Sequence, residues 1–245
     1  MSPLQSPAGR RRVAGTVATV TSVRALTPRM TRVRLAAEQL GELDAVPGQT
    51  VKIYVPDLVS GDPVSRDYTV RAVDPAGSAL DIDLVLHGTG AAVNWVRTVQ
   101  PGENLEFVGP SGRYRPDPAA DWHLFAGDET ALPAIQAYAE MLPADAPVQL
   151  YVEIADAAEQ QPVAGRTVHW LSRAGAPPGT GTLLDDALRA AELLPGRGRI
   201  WLAGHTPTVR RIRAELLDER GIDRRTLYIK GFWQHPAGPR ADQPG

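Results

Sequence analysis

At 245 residues, the chain is long enough for one large domain or two of ordinary size, which excludes a peptide or a small stapled scaffold. Its 26 Lys and Arg against 28 Asp and Glu leave no basic field to attract nucleic acid and no acidic excess to argue for disorder. The absence of cysteine excludes disulfides, thiolate zinc sites, iron–sulfur clusters and cysteine nucleophiles, so any electrons moving through this protein need another carrier.

No run reaches the roughly 20 apolar residues of a transmembrane helix, so no membrane insertion is expected. Arg10-Arg11-Arg12 ahead of Val13–Val20 can be read as a twin-arginine signal or as a disordered arm before a first strand. The threonines and β-branched residues of the segment, with no small-residue cleavage site before Arg24, favour the strand and a cytoplasmic protein.

The first half reads as strands: Val13–Leu26, Met30–Ala36 and Thr50–Val55 are rich in β-branched residues, and Val51, Ile53 and Val55 alternate with Lys52 and Tyr54. The cleanest alternation is Leu80–His87, with Leu80, Ile82, Leu84 and Leu86 on one face, the pattern of an antiparallel sheet with one buried side. Turn signals at Pro47-Gly48, Asp74–Gly77 and Pro101-Gly102 have the spacing of an all-β barrel or sandwich. Ala92, Trp95, Val96 and Val99 then make a helical face, with Trp95 as core.

From Trp122 the pattern changes. Apolar stretches at Trp122–Ala126, Val148–Ile154, Thr167–Leu171, Arg199–Ala203 and Thr226–Ile229 alternate with helical segments, the order of a parallel sheet with covering helices. In the last helix Val209, Ile212, Leu216 and Leu217 share a face, with Thr206 expected as N-cap, Pro207 at the first position and Gly221 beyond the end. The Pro-rich Tyr114–Pro118 stretch is the natural linker. The expected architecture is a β-barrel over residues 12–116 and an α/β unit over 119–235, with residues 1–11 and 236–245 as disordered tails.

Five segments carry chemistry. In Arg66-Asp67-Tyr68-Thr69-Val70-Arg71, Arg66 and Tyr68 lie two apart on one strand face. They suit a flavin nucleotide, which needs a cation for its phosphate and a flat surface for its ring, or are an ordinary surface pair. His87-Gly88-Thr89-Gly90-Ala91-Ala92 follows a strand and opens a helix, where small residues and free N–H groups suit a pyrophosphate; a plain strand-turn-helix is the alternative, and His87 is a ligand contact or a surface residue. Asp128, Glu129 and Thr130 follow Gly127 at the C-terminal edge of the parallel sheet, where ligands of such sheets bind. Helix capping with cofactor positioning is favoured there over acid–base catalysis. Ser172-Arg173 at another strand end suits the 2′-phosphate of NADPH, unless Arg173 is an ordinary loop residue. Lys230-Gly231-Phe232-Trp233 places two aromatics after the final strand.

Together these motifs resemble the siderophore-interacting protein family, flavin-dependent ferric-siderophore reductases of the ferredoxin-reductase-like superfamily. The most specific string is Gly127-Asp128-Glu129-Thr130-Ala131-Leu132-Pro133, and the match runs from about Val13 to Trp233. The resemblance implies an antiparallel Greek-key β-barrel that binds FAD, followed by a parallel α/β unit that binds NADPH or NADH. It implies cofactor contacts at Arg66, Tyr68, Thr69, Val70, His87, Gly90, Ala91, Ala92, Asp128, Glu129, Thr130, Ala131, Ser172, Arg173, His205 and Trp233, with Tyr68, Thr69 and Trp233 aligning the rings. No protein acid or base and no resident metal is required. The family usually has Ala-Gly-Glu where this chain has Ala203-Gly204-His205, and Tyr where it has Phe232. Some members also continue past the Trp with a basic C-terminal helix, so the expected siderophore contacts here are Lys52, Arg113, Arg115 and Lys230. A monomer whose substrate is a small ferric siderophore is expected. The competing readings are a reductase serving a protein partner and a flavin- or siderophore-binding carrier without turnover.

Overall fold

A computed structural model describes residues 15–57, 60–88 and 90–235. Arg10–Arg12, Val13, Thr89 and both expected tails lie outside the described residues. The alternating runs of the first half become six strands: β1 (Thr16–Thr27), β2 (Met30–Ala36), β3 (Thr50–Pro56), β4 (Pro63–Val73), β5 (Ala79–Val85) and β6 (Asn104–Ser111). They close an antiparallel barrel in the order β1-β2-β5-β4-β3-β6. Consecutive β3, β4 and β5 are neighbours and β6 returns beside β3, which is the Greek-key arrangement.

Period-two burial fills the barrel. Val33 and Leu35, Val51, Ile53 and Val55, and Leu80, Ile82 and Leu84 are all buried in one cluster. The short helix α1 (Ala91–Thr98) packs Ala92, Trp95 and Val96 into that cluster, with Val99 following. β5 stops at Val85, two residues before the expected His87; the Leu86 amide makes one last bond in the same register, to the Arg29 carbonyl of the β1–β2 turn at 2.7 Å.

The second half forms β7 (Trp122–Asp128), α2 (Leu132–Glu140), β8 (Val148–Ile154), β9 (His169–Ser172), α3 (Leu183–Ala190), β10 (Gly198–His205), α4 (Thr206–Ala214) and β11 (Leu227–Trp233). The sheet is parallel in the order β11-β10-β7-β8-β9. Its central strand β7 is buried throughout, as both faces are covered: α2 packs in the cluster on one, α3 and α4 in the cluster on the other. One boundary differs from expectation: α4 begins at Thr206 with His205 as N-cap and no side-chain cap. β10 runs directly into the helix through Gly204, at φ +134°, so Thr206 is already helical. No helix among the described residues is long and apolar enough to cross a membrane.

The two halves share a packed seam. Met30 and Val85 of the barrel belong to the core of the α2 face. Arg71 of β4 forks onto Glu140 of α2 at 2.9 and 2.6 Å and reaches Gln136 at 3.0 Å. Tyr138 of α2 donates its hydroxyl to the Gly48 carbonyl at 2.8 Å. Gly48 sits at φ +84°, and a Cβ there would overlap the Tyr138 ring. Gly48→Ala therefore combines backbone strain of about 1–3 kcal/mol with a clash at the seam. A thermal midpoint lower by several degrees is expected, and an unchanged midpoint would contradict this role for the glycine.

Candidate functional site

The seam opens into a cavity of about 1020 Å³. The barrel contributes Lys52, Arg66, Tyr68 and Thr69, the turn after β5 contributes His87, Gly88 and Gly90, and the parallel sheet contributes Glu129, Thr130 and the Lys230–Trp233 strand end.

The β3–β4 register explains the barrel wall. Arg66 stands opposite Ile53 and Tyr68 opposite Val51, so Arg66, Tyr68 and Val70 share the face that fills the barrel. Along β4 this face leaves the core by degrees: Val70 is fully buried, Tyr68 is half-buried against the core and Arg66 is exposed. A guanidinium and a phenol are thereby presented side by side. Burial pushes the Tyr68 hydroxyl up to about 12, against a smaller opposing pull from Arg66, so the ring stays neutral. Lys52 and Asp67 pair on the other face at 2.6 Å.

Val70 is not available as a cofactor contact. Its side chain is in the core, its amide bonds the Gln49 carbonyl at 2.8 Å and its carbonyl accepts from Gly48 at 2.8 Å.

At the turn after β5, Gly88 has φ +69°, and a Cβ on Gly88 or Gly90 would meet only open space. Gly90 is the N-cap of α1 and supplies no side-chain cap, so the first helical N–H groups point to whatever occupies the turn. Ala92 lines the cavity, whereas Ala91 packs on the barrel core.

The sheet edge differs most from the sequence reading. Neither Glu129 nor Thr130 caps α2, whose N-cap is Ala131 without a side-chain bond. Glu129 instead takes a two-pronged bond from Arg173, at 2.6 and 2.5 Å. Arg173 also approaches Glu153 at 3.4 Å, and only 3% of its side chain is exposed. A guanidinium enclosed by two carboxylates is not a free receptor for a 2′-phosphate, which corrects that reading of Arg173. Ser172 does not line the cavity; its hydroxyl accepts from the Ala174 amide at 3.3 Å. Ala131 is fully buried, with its amide on the Asp128 carbonyl at 2.9 Å, so it offers no contact either.

Asp128 and His205 lie behind the cavity wall, both buried. Burial lowers the basicity of His205 and raises the Asp128 carboxyl above its usual range. Gly204 makes room for that carboxylate, since a Cβ there would stand 2.5 Å from Asp128 Oδ2.

Of the four expected substrate cations, Lys52 and Lys230 line the cavity and Arg113 and Arg115 do not. Arg115 turns onto the Tyr114 carbonyl at 2.7 Å, in the connection after β6. Sequence reasoning missed Arg29, which lines the cavity from the β1–β2 turn. The carboxylates on the cavity wall are each engaged: Asp67 with Lys52, Asp83 with Arg32 at 2.6 Å, and Glu129 with Arg173. Among the described residues, Arg29, Arg66 and Lys230 are left with no carboxylate partner in an ion pair, which makes the cavity cationic.

Comparison with known proteins bears on this geometry. Residues 120–236 match the family model described as siderophore-interacting protein, and residues 57–114 match the siderophore-interacting FAD-binding domain. Ferric vibriobactin reductase ViuB of Vibrio cholerae is 30% identical over 230 residues, covering 83% of this chain and 83% of that protein. The chain belongs to the siderophore-interacting protein family. Within that family, the crystal structure of a siderophore utilization protein from T. fusca superposes with a TM-score of 0.83 at 36% identity, covering 92% of this chain and 94% of that one. An uncharacterised protein of Mycobacterium tuberculosis is 36% identical over 185 residues, 70% of this chain, and the match spans 65% of that relative's length.

The residues of this siderophore-interacting protein fit FAD. The FAD-binding match spans Arg66, Tyr68 and the turn through Gly90, and there the structure supplies a cation, an aromatic plane and open space beside Gly88 and Gly90 at an uncapped helix start. Arg66 would hold phosphate, Tyr68 would cover the ring, and the α1 N–H groups would face the pyrophosphate.

Proposed function

We propose that this protein is an FAD-dependent ferric-siderophore reductase that draws on NAD(P)H and delivers ferrous iron in the cytoplasm. The observation that carries the reading is the joining of three features in one cavity: the Arg66 and Tyr68 face, the C-terminal edge of a parallel sheet, and cations without carboxylate partners. FAD, when bound, supplies the step from a two-electron donor to a one-electron acceptor. The chain's own work is to bind and orient. The barrel, residues 12–116, holds the flavin, and residues 119–235 present the reduced nicotinamide at the sheet edge. Arg29 and Lys230, which have no carboxylate partner, give an anionic ferric chelate a positive approach, and Lys52 stands on the same cavity wall paired with Asp67. No side chain need exchange a proton, which agrees with a sheet edge where Glu129 is tied to Arg173.

The vibrio relative's name, a ferric vibriobactin reductase, supports the same reading, and the cationic cavity favours a small anionic chelate over a protein electron acceptor. The test is anaerobic. NADPH or NADH is added to the flavin-loaded protein, and then a ferric siderophore together with a ferrous trap. Bleaching by the nucleotide followed by chelate-dependent reoxidation and trapped ferrous iron is expected. A flavin that neither nucleotide bleaches would identify a carrier instead.

A further inference from the structure

Trp233 lines the cavity at the end of β11, and its ring is held from several sides. His205 lies 4.6 Å from it, centroid to centroid, and His87 reaches it across the seam from the barrel at 5.3 Å. The indole Nε1–H donates to Asp128 Oδ2 at 2.8 Å. Asp128 itself does not line the cavity. Its carboxylate is buried and accepts three more bonds, from the Thr130 amide at 2.9 Å, the Thr130 hydroxyl at 2.5 Å and the His205 amide at 2.8 Å. Among the described residues it has no Lys or Arg partner, and a buried carboxylate without a cation is costly to keep. Three of its four donors belong to the local turn and the neighbouring strand; the fourth alone connects it to an aromatic ring of the cavity wall.

We propose that Asp128 is a positioning residue, whose carboxylate fixes the indole plane of Trp233 at the seam and so sets where a nicotinamide ring comes to rest beside the flavin site. This rests on the reductase reading above. An indole without its N–H partner keeps its ring contacts but gains freedom to turn about its side-chain torsions, and misplacement of a reacting ring by about 1 Å is enough to cost on the order of a hundredfold in rate.

The test uses the flavin-loaded wild type and the Asp128→Ala, Asp128→Asn, Trp233→Phe and Asp128→Ala/Trp233→Phe variants. Asp128→Ala removes the anchor. Asp128→Asn can retain it, because an amide turned with its oxygen toward His205 and Trp233 still accepts both bonds; the Thr130 hydroxyl turns to accept from the new NH₂, and only the bond from the Thr130 amide is lost. Asp128→Ala is expected to slow anaerobic flavin bleaching about tenfold or more at saturating nucleotide, with FAD content retained, and Asp128→Asn to recover most of the rate. In the Trp233→Phe background the Asp128→Ala cost should vanish, as the phenyl ring has no N–H to hold. An independent readout is the Trp233 indole N–H resonance, assigned by its loss in Trp233→Phe. It should be slow to exchange in wild type and Asp128→Asn, and shifted and fast in Asp128→Ala.

A full Asp128→Ala cost persisting in the Trp233→Phe background, or an unchanged indole resonance, would overturn the proposal. If Asp128→Ala does not fold, Trp233→Phe removes the same bond from the other side, and an unaltered bleaching rate in it would overturn the proposal as well. A wild-type flavin that neither nucleotide bleaches would defeat the reductase reading, while the indole resonance would still decide whether Asp128 holds Trp233.

Discussion

Tyr68→Ala is expected to purify largely without flavin. The ring is half-buried between the barrel core and the cavity, and stacking on a flat cofactor contributes about 0.5–1.5 kcal/mol beyond the apolar area it covers. With about 2 kcal/mol for that area, the loss corresponds to about a hundredfold or more in FAD affinity. Arg66→Ala acts through charge. Among the described residues its guanidinium bonds only to the Ser65 carbonyl, at 2.8 Å, leaving donors for a phosphate, and bonds to charged groups are worth roughly 1.5–3 kcal/mol. Visible flavin absorbance relative to protein, and titration of the stripped protein with FAD, measure both. Tyr68→Phe should keep the cofactor, because the plane and not the hydroxyl is the contact. Full flavin occupancy in both alanine variants would remove the β4 face from the cofactor site.

Why this face was legible in the sequence and the sheet edge was not has a physical explanation. Period-two alternation is a local property, so Leu80–Leu84 and the pairing of Arg66 with Tyr68 follow from residues two apart. The helical face of Ala92, Trp95, Val96 and Val99 is local in the same sense. Arg173 looked like a free cation because nothing near it in the chain opposes it. Its partner Glu129 lies 44 residues away and meets it only when β7 and β9 are brought to the same sheet edge. Arg29 stands in a turn with no periodic signal, and its place on the cavity wall follows from the barrel docking at Met30 and Val85. Arg113 and Arg115 failed in the opposite direction: a basic segment near a domain junction carries no information about which way the chain leaves the last barrel strand.

The enclosure of Arg173 has the second large consequence. Arg173→Ala would leave Glu129 and Glu153 buried together, both within 7% exposure, with Asp128 also buried nearby. Removing one partner from a buried ion pair costs about 3–5 kcal/mol, and at about 2–4 °C per kcal/mol for a chain of this size the unfolding midpoint should fall by roughly 10 °C. Glu153→Gln should do the reverse. Burial raises the Glu153 carboxyl above its ordinary value of 4.5, with Arg173 only partly offsetting it. The folded protein thus holds that proton more tightly than the unfolded chain does. This contribution to stability is complete below the unfolded value and is lost as pH rises through the folded one. A permanently neutral glutamine escapes that loss. Glu153→Gln should therefore match the wild type at pH below the ordinary carboxylate range and exceed it in midpoint at neutral pH, while the Arg173→Ala deficit should shrink as acid neutralises the stranded carboxylates. Thermal unfolding of the three proteins across that pH range checks both signs, and a Glu153→Gln gain that grew toward acid pH would contradict the burial of that carboxylate as the dominant effect.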